Sequence, residues 1–118
     1  MTTAWRTETD LAVYCAVLEQ CDAETLTASY TEDAEITIVR CSDPTREPQV
    51  YRGREAIGRW IAGWCLDLSQ LRVVNQVKRG VEMTVIAELR DAEGDIAVFA
   101  CTARLLDGLV HSQFVVLV

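Results

Sequence analysis

The spacing of apolar and polar positions predicts three helices followed by a run of long strands. Thr7 to Leu18 reads as the first helix: Leu11, Cys15 and Leu18 fall on one stripe with Tyr14 beside it, and Thr7 with Asp10 resembles a capping box. Asp22 is placed to cap a second, shorter helix through Leu26 and Tyr30. Glu35 to Val39 then alternates polar and apolar residues, as a strand with one wet face does. Cys41 to Arg52 carries Pro44 and Pro48 among polar residues and reads as a loop, long for a compact domain and more typical of a lid or rim. Gly53 precedes a third helix, Arg54 to Leu66, with Ile57, Trp60, Ile61 and Trp64 along its inner face.

From Leu71 the period changes from helical to alternating. Leu71 to Lys78, Val81 to Arg90, Ile96 to Leu105 and Leu109 to Val118 read as strands. They are separated by Arg79-Gly80, by Asp91 to Asp95 around Gly94, and by Asp107-Gly108, a two-residue hairpin signal. The order predicts an α+β domain with helices on one face of a curved antiparallel sheet. Both alternating sets are apolar on the last two strands: Ile96, Val98 and Ala100 face away from Ala97, Phe99, Cys101 and Leu105, and Phe114 and Val116 face away from Val115 and Leu117. A sheet covered on one face only has a polar outer face. The oily outer face therefore predicts a homodimer formed through it.

Composition narrows the partners. The chain has 118 residues and reads as one domain spanning 1–118; half of its residues are hydrophobic and a quarter charged, which excludes disordered and fibrous classes. Eighteen acidic against eleven basic residues give a net charge of −7, which repels phosphate backbones and anionic lipid, so nucleic acid and membrane surfaces are not expected partners. The five cysteines form no Cys-x-x-Cys pair and there is a single histidine, so neither a disulfide scaffold nor a metal site is expected. Free thiols, the lack of a basic-then-apolar leader and the lack of a long apolar stretch make the chain read as a complete cytoplasmic protein.

The segment Tyr30-Thr-Glu-Asp-Ala-Glu-Ile-Thr-Ile-Val39, a loop, and then Tyr51-Arg-Gly-Arg-Glu-Ala-Ile-Gly-Arg-Trp60 resembles the nuclear transport factor 2-like superfamily, in its SnoaL-like or ketosteroid isomerase-like flavour. The resemblance implies a cone, a cystatin-like α+β barrel in which a bent sheet wraps three N-terminal helices and leaves an apolar cavity open at one end. Such cavities are typically ~300–1,000 Å³ and take small, mostly apolar molecules. The fold hosts many activities, so function depends on which polar side chains point inward. Ketosteroid isomerases use a helix-one tyrosine, an aspartate base on the first strand and an aspartic acid on the penultimate strand. Here Tyr14 falls at the tyrosine position, but the base position holds Ile38 and the second acid falls at about Thr102. Isoleucine accepts no proton, which argues against the steroid-type shuttle. Limonene-type epoxide hydrolases need an Asp-Arg-Asp set; Thr102 and Arg104 share a face of a strand with no aspartate from Ile96 to Leu105, which disfavours that activity too. SnoaL-like cyclases pair a histidine with an acid, and no acid is placed for the one histidine.

Several side chains are then candidates. His111 and Gln113 share a strand face with Val115 and Leu117, the face that by the resemblance lines the cavity. His111 is a general base or proton relay, or an inert histidine near a hairpin end. Tyr14 donates to a substrate oxygen, or packs with its hydroxyl satisfied internally. Trp60 and Trp64 form an aromatic wall for a flat ligand, or ordinary core. Arg40 meets an anionic or carbonyl group at the mouth, or pairs with Asp43 or Glu47. Thr102 and Arg104 carry the same ambiguity; Glu82, Thr84 and Glu88 read as a solvated face, and Cys41 and Cys65 sit near the expected mouth.

The leading reading is a cofactor-independent pocket protein that binds a small hydrophobic molecule, with Tyr14 polarising an oxygen and His111 moving a proton in a cyclisation, isomerisation or dehydration. Trp60, Trp64, Arg40, Thr102, Gln113 and Ile38 would contact the ligand. The alternative is a non-catalytic ligand-binding or dimerisation module.

Overall fold

The computed structural model describes residues 11–118. The Thr7 end of the first helix and its capping pair lie outside the described residues. Helix α1 (Leu11–Glu19) buries Tyr14, Cys15 and Leu18, and a turn at Cys21, with φ 49°, leads into α2 (Ala23–Ala28). Asp22 caps α2 as its spacing predicts, its carboxylate accepting from the Thr25 amide at 3.2 Å and the Thr25 hydroxyl at 2.7 Å.

Tyr30 corrects the expected end of that helix. It opens strand β1 (Tyr30–Arg40), because the sheet captures the chain first: the Val110 amide donates to the Ser29 carbonyl at 2.8 Å and Tyr30 pairs with Val110. The proline-bearing segment holds a second difference. Its last four residues form a short edge strand, β2 (Gln49–Arg52), antiparallel to β1. Gly53, at φ 89°, then turns the chain into α3 (Arg54–Leu66), a backbone conformation that a residue with a Cβ adopts only under strain. Gly58 is fixed by contact instead: a Cβ there would sit 2.9 Å from the Thr27 side chain of α2.

Strands β3 (Leu68–Arg79), β4 (Glu82–Asp91), β5 (Ile96–Leu106) and β6 (Leu109–Leu117) form the meander. The six strands lie in the order β2-β1-β6-β5-β4-β3, in a curved sheet that does not close. Every pairing is antiparallel except that of β1 with β6, which is parallel. Alternation sorts the two faces. Met83, Val85 and Ala87 on β4, Phe99, Cys101 and Ala103 on β5, and Ile36 and Ile38 on β1 are buried beneath Tyr14, Leu18, Ile57 and Ile61 of the helices. On the other side Val39, Val116, Ala100 and Ile86 pair in register as one apolar row across four strands, with exposed Phe114 and Val98 beside it.

The alternation breaks once on β6. Arg104 pairs with Ser112 and Leu105 with Val110, so His111 is an extra residue in the ladder, a β-bulge. Val110 turns fully inward there and Gln113 resumes the buried face, while His111 is left aside. The expectation that His111 and Gln113 share a face therefore fails, because one inserted residue reverses the side of every position before it.

Candidate active and binding site

At the floor of the cone three polar side chains meet in an apolar setting. Tyr14, Tyr30 and Gln113 are each at most 5% exposed. The Tyr30 hydroxyl donates to Gln113 Oε1 in a short hydrogen bond, Gln113 Nε2 donates to the Tyr14 oxygen at 3.4 Å, and the Tyr14 hydroxyl interacts in turn with Tyr30. The three polar groups thus answer one another: Gln113 accepts from Tyr30 and donates to Tyr14, whose hydroxyl lies against Tyr30. Among the described residues no buried side-chain polar atom lacks a partner. Burial, reinforced by the neighbouring Tyr30 and Cys101, pushes the Tyr14 phenol well above its ordinary value; burial and Cys101 raise Tyr30 likewise. Both stay neutral donors. The Cys101 thiol beside them is pushed up to about 11, chiefly by burial.

Little space remains beside this ring. The void bordered by Tyr14, Tyr30, Gln113 and Phe99 amounts to about 10 Å³, room for one water at most. Where the sequence predicts a large ligand cavity beneath the helices, the described residues Leu18, Leu26, Ile36 and Ile61 pack around this small void. An open cleft of about 780 Å³ lies at the mouth, between α3 and the ends of the strands. Trp60 and Trp64 border both spaces and so form the wall between them. Their indoles stack with centroids 5.4 Å apart and planes at 13°, within a run of rings from Tyr51 through Trp60 and Trp64 to Phe99.

The sequence-predicted residues divide accordingly. Trp60, Trp64 and Arg40 line the cleft; Tyr14 and Gln113 lie behind the tryptophan wall; Ile38 is fully buried in the core. Thr102 is exposed on the outer face, opposite Phe114 and Thr84, and Arg104 beside it faces Glu82 at 3.6 Å. His111 borders neither space. Its side chain is 39% exposed, with Nδ1 3.0 Å from the Thr31 hydroxyl and 3.6 Å from Asp33 Oδ1. Asp33 is thus the nearest acid to His111, and it is 83% exposed. Cys65 sits against Cys21 rather than in the cleft, and burial with that contact raises its thiol to about 12.

No protein family matches the chain, and no curated protein matches its sequence. Solved structures do. A protein of unknown function from Mesorhizobium loti, described as nuclear transport factor 2-like, superposes with a TM-score of 0.77 at 16% identity, over 98% of this chain and 90% of its own. A protein from Kribbella flavida, provisionally named a ketosteroid isomerase, gives 0.72 at 22% identity, over 92% and 75%. The chain has the nuclear transport factor 2-like fold. A de novo designed protein with a curved β-sheet also matches, at a TM-score of 0.71 and 12% identity over 100% of this chain and 88% of the design. Likenesses at these identities show the fold alone, and chemistry has to be read from the side chains.

Within that fold, sequence reasoning missed Tyr30 and the acidic side of the rim. Tyr30 looked like the end of a helix. Asp67, Asp91 and Asp95 border the cleft along with Arg40 and Arg59 but resemble ordinary turn residues. The carboxylates of Asp91, Glu93 and Asp95 come within 4.8 Å of one another, the group among the described residues best able to approach a metal ion. Asp91 Oδ1 already accepts the amides of Glu93 and Asp95 at 2.9 Å, which closes the turn.

Proposed function

We propose that this protein binds a small, flat, mainly apolar molecule in the mouth cleft, with Trp60 and Trp64 as its stacking surface. The observation that carries this reading is the double role of the tryptophan pair: it walls the open cleft on one side and seals the Tyr14–Tyr30–Gln113 ring on the other. The ring supports binding over proton transfer. Tyr14 already has its hydrogen bonds, and none of the described residues bordering the inner void carries a carboxylate or an imidazole to act as base. His111, bonded to Thr31 and set aside by the bulge, is outside the proposed site.

The test is titration with 2-naphthamide, a neutral flat probe, followed by the indole N–H signals of Trp60 and Trp64. Saturable shifts of both signals are expected, and Trp60→Ala should weaken binding about tenfold, the loss of one stacked aromatic contact. Shifts confined to other parts of the molecule, or an unchanged affinity in Trp60→Ala, would remove the reading.

We also propose that a second copy covers the outer face of the sheet. The in-register row of Val39, Val116, Ala100 and Ile86 with Phe114 beside it supports this, since a two-fold axis can lay such a row against itself. No helix among the described residues is long and apolar enough to cross a membrane, and all five cysteines are free. A reducing, cytoplasmic setting is consistent with the free thiols.

A further inference from the structure

We infer that the cleft selects a flat apolar anion and orients it, with Arg40 receiving the anionic group and the aspartates of the opposite rim keeping negative charge away from the other end. This rests on the proposed ligand site and adds the charge and direction of its occupant.

Three observations carry it. The first is Arg40 itself. Arg52, Arg59, Arg72 and Arg104 each pair with a carboxylate, whereas Arg40 has none among the described residues. The pairing with Asp43 or Glu47 that its position suggests does not form: Asp43 accepts from the amide and hydroxyl of Thr45 instead. The second is direction. Arg40 pairs with Leu117 at the end of β1 and follows Ile36 and Ile38 on the buried face, which brings its side chain to the cleft. An unpaired guanidinium at the edge of an apolar surface matches a carboxylate by two parallel hydrogen bonds.

The third is the layout of charge around the rim. Strands β6 and β5 separate β1 from β4, and by register Arg40 aligns through Leu117 and Phe99 with Ala87, so Asp91 lies three strands across and four residues further on, more than roughly 14 Å away along the sheet. That exceeds the screening length of ~8 Å at physiological salt, so the two ends present separate fields of opposite sign. Asp67 at the end of α3 and Asp95 beside Asp91 form no ion pair among the described residues. A ligand lying over Trp60 and Trp64 with one anionic end therefore has one favourable direction. A ligand with two anionic ends has none.

Three naphthalene probes test this on the full chain: the isosteric pair 2-naphthoate and 2-naphthamide, and 2,6-naphthalenedicarboxylate. Naphthoate is expected to bind about tenfold more tightly than naphthamide, the worth of one charge-assisted contact at an exposed site. Arg40→Gln should abolish that difference by weakening naphthoate far more than naphthamide. The dicarboxylate should bind more weakly than naphthoate, and a combined Asp67→Asn and Asp95→Asn variant should bring the two together. Equal binding of naphthoate and naphthamide, or a naphthoate affinity untouched by Arg40→Gln, overturns the inference while leaving the ligand site standing. If neither probe shifts the tryptophan signals, the site itself is what fails.

Discussion

Around Tyr14 every polar group is answered from within the protein, whereas on the other side of the same two tryptophans Arg40, Asp67 and Asp95 have no ion-pair partner among the described residues. The two regions share a wall and differ in what surrounds their polar atoms. At the floor, low polarity makes an unanswered hydroxyl expensive, so two phenols and one amide are locked into a ring. At the mouth, water screens isolated charges cheaply, so they stay unpaired and available to an incoming partner. In this chain the buried tyrosine is structural material, and the proposed recognition falls to the groups that the fold leaves unsatisfied.

The contrast breaks most directly at Gln113. Gln113→Ala removes the amide that links Tyr30 to Tyr14 and opens a hole in a filled interior. Denaturant unfolding should show a loss of about 3 kcal/mol, combining a stranded buried hydroxyl with a small cavity. Adding Tyr14→Phe and Tyr30→Phe should recover part of it, since no polar group then remains to strand. A loss within the scatter of surface substitutions would mean that the ring holds nothing together.

Alkaline titration sharpens the same point. Tyr14, Tyr30 and Cys101 all have raised proton affinities in the folded protein. Below the ordinary thiol value of 9.0 both folded and unfolded forms keep the Cys101 proton, and its contribution is fully present. Above it the unfolded chain loses that proton first, binds fewer protons than the native form, and stability falls as pH rises. For Cys101, raised from 9.0 to about 11, the fall is complete near that upper value. It amounts to roughly 3 kcal/mol and is removed by Cys101→Ala. The tyrosines extend the decline to higher pH. A stability flat from pH 8 to 11 would contradict the burial of all three groups.

On the outer face, Phe114→Asp places a charge in the exposed apolar row and should convert a dimer to a monomer in sedimentation at micromolar concentration. Binding of 2-naphthamide in the cleft should change less than twofold, because Phe114 points away from the buried face. A monomeric parent protein would end the dimer proposal.

Much of this architecture is legible from period alone. On β4 the alternation of Glu82, Thr84 and Glu88 against Met83, Val85 and Ala87 identifies the inward set, whereas on β5, where both sets are apolar, it separates two faces without naming the buried one. The helical spacing of Trp60 and Trp64 places both on the inner face of α3. The failures have physical causes. Tyr30 lies where a short helix meets a strand, and only the distant Val110 decides between them. The strand Gln49–Arg52 is four residues at an edge, too short for alternation to register. Asp67, Asp91 and Asp95 sit in turns, where acidic residues are expected for solvation, and only the sheet order shows that they face Arg40 across a cleft.

The smallest expected effect is the most diagnostic of that lesson. As the chain's single histidine, His111 draws a catalytic reading, yet the bulge gives it a Thr31 hydroxyl and an exposed Asp33 as neighbours. His111→Ala should cost less than about 0.5 kcal/mol in unfolding, as surface substitutions do. It should leave 2-naphthoate affinity unchanged while Arg40→Gln and Trp60→Ala both lower it. Deleting His111 altogether would keep Val110 inward by plain alternation from Gln113, but it removes the bulge and its local bend opposite the β1 irregularity between Tyr30 and Glu35, so that variant should be less stable than the alanine one. If the point substitution proves as damaging as the deletion, the imidazole itself is holding the structure and the division between sealed floor and open mouth is drawn in the wrong place.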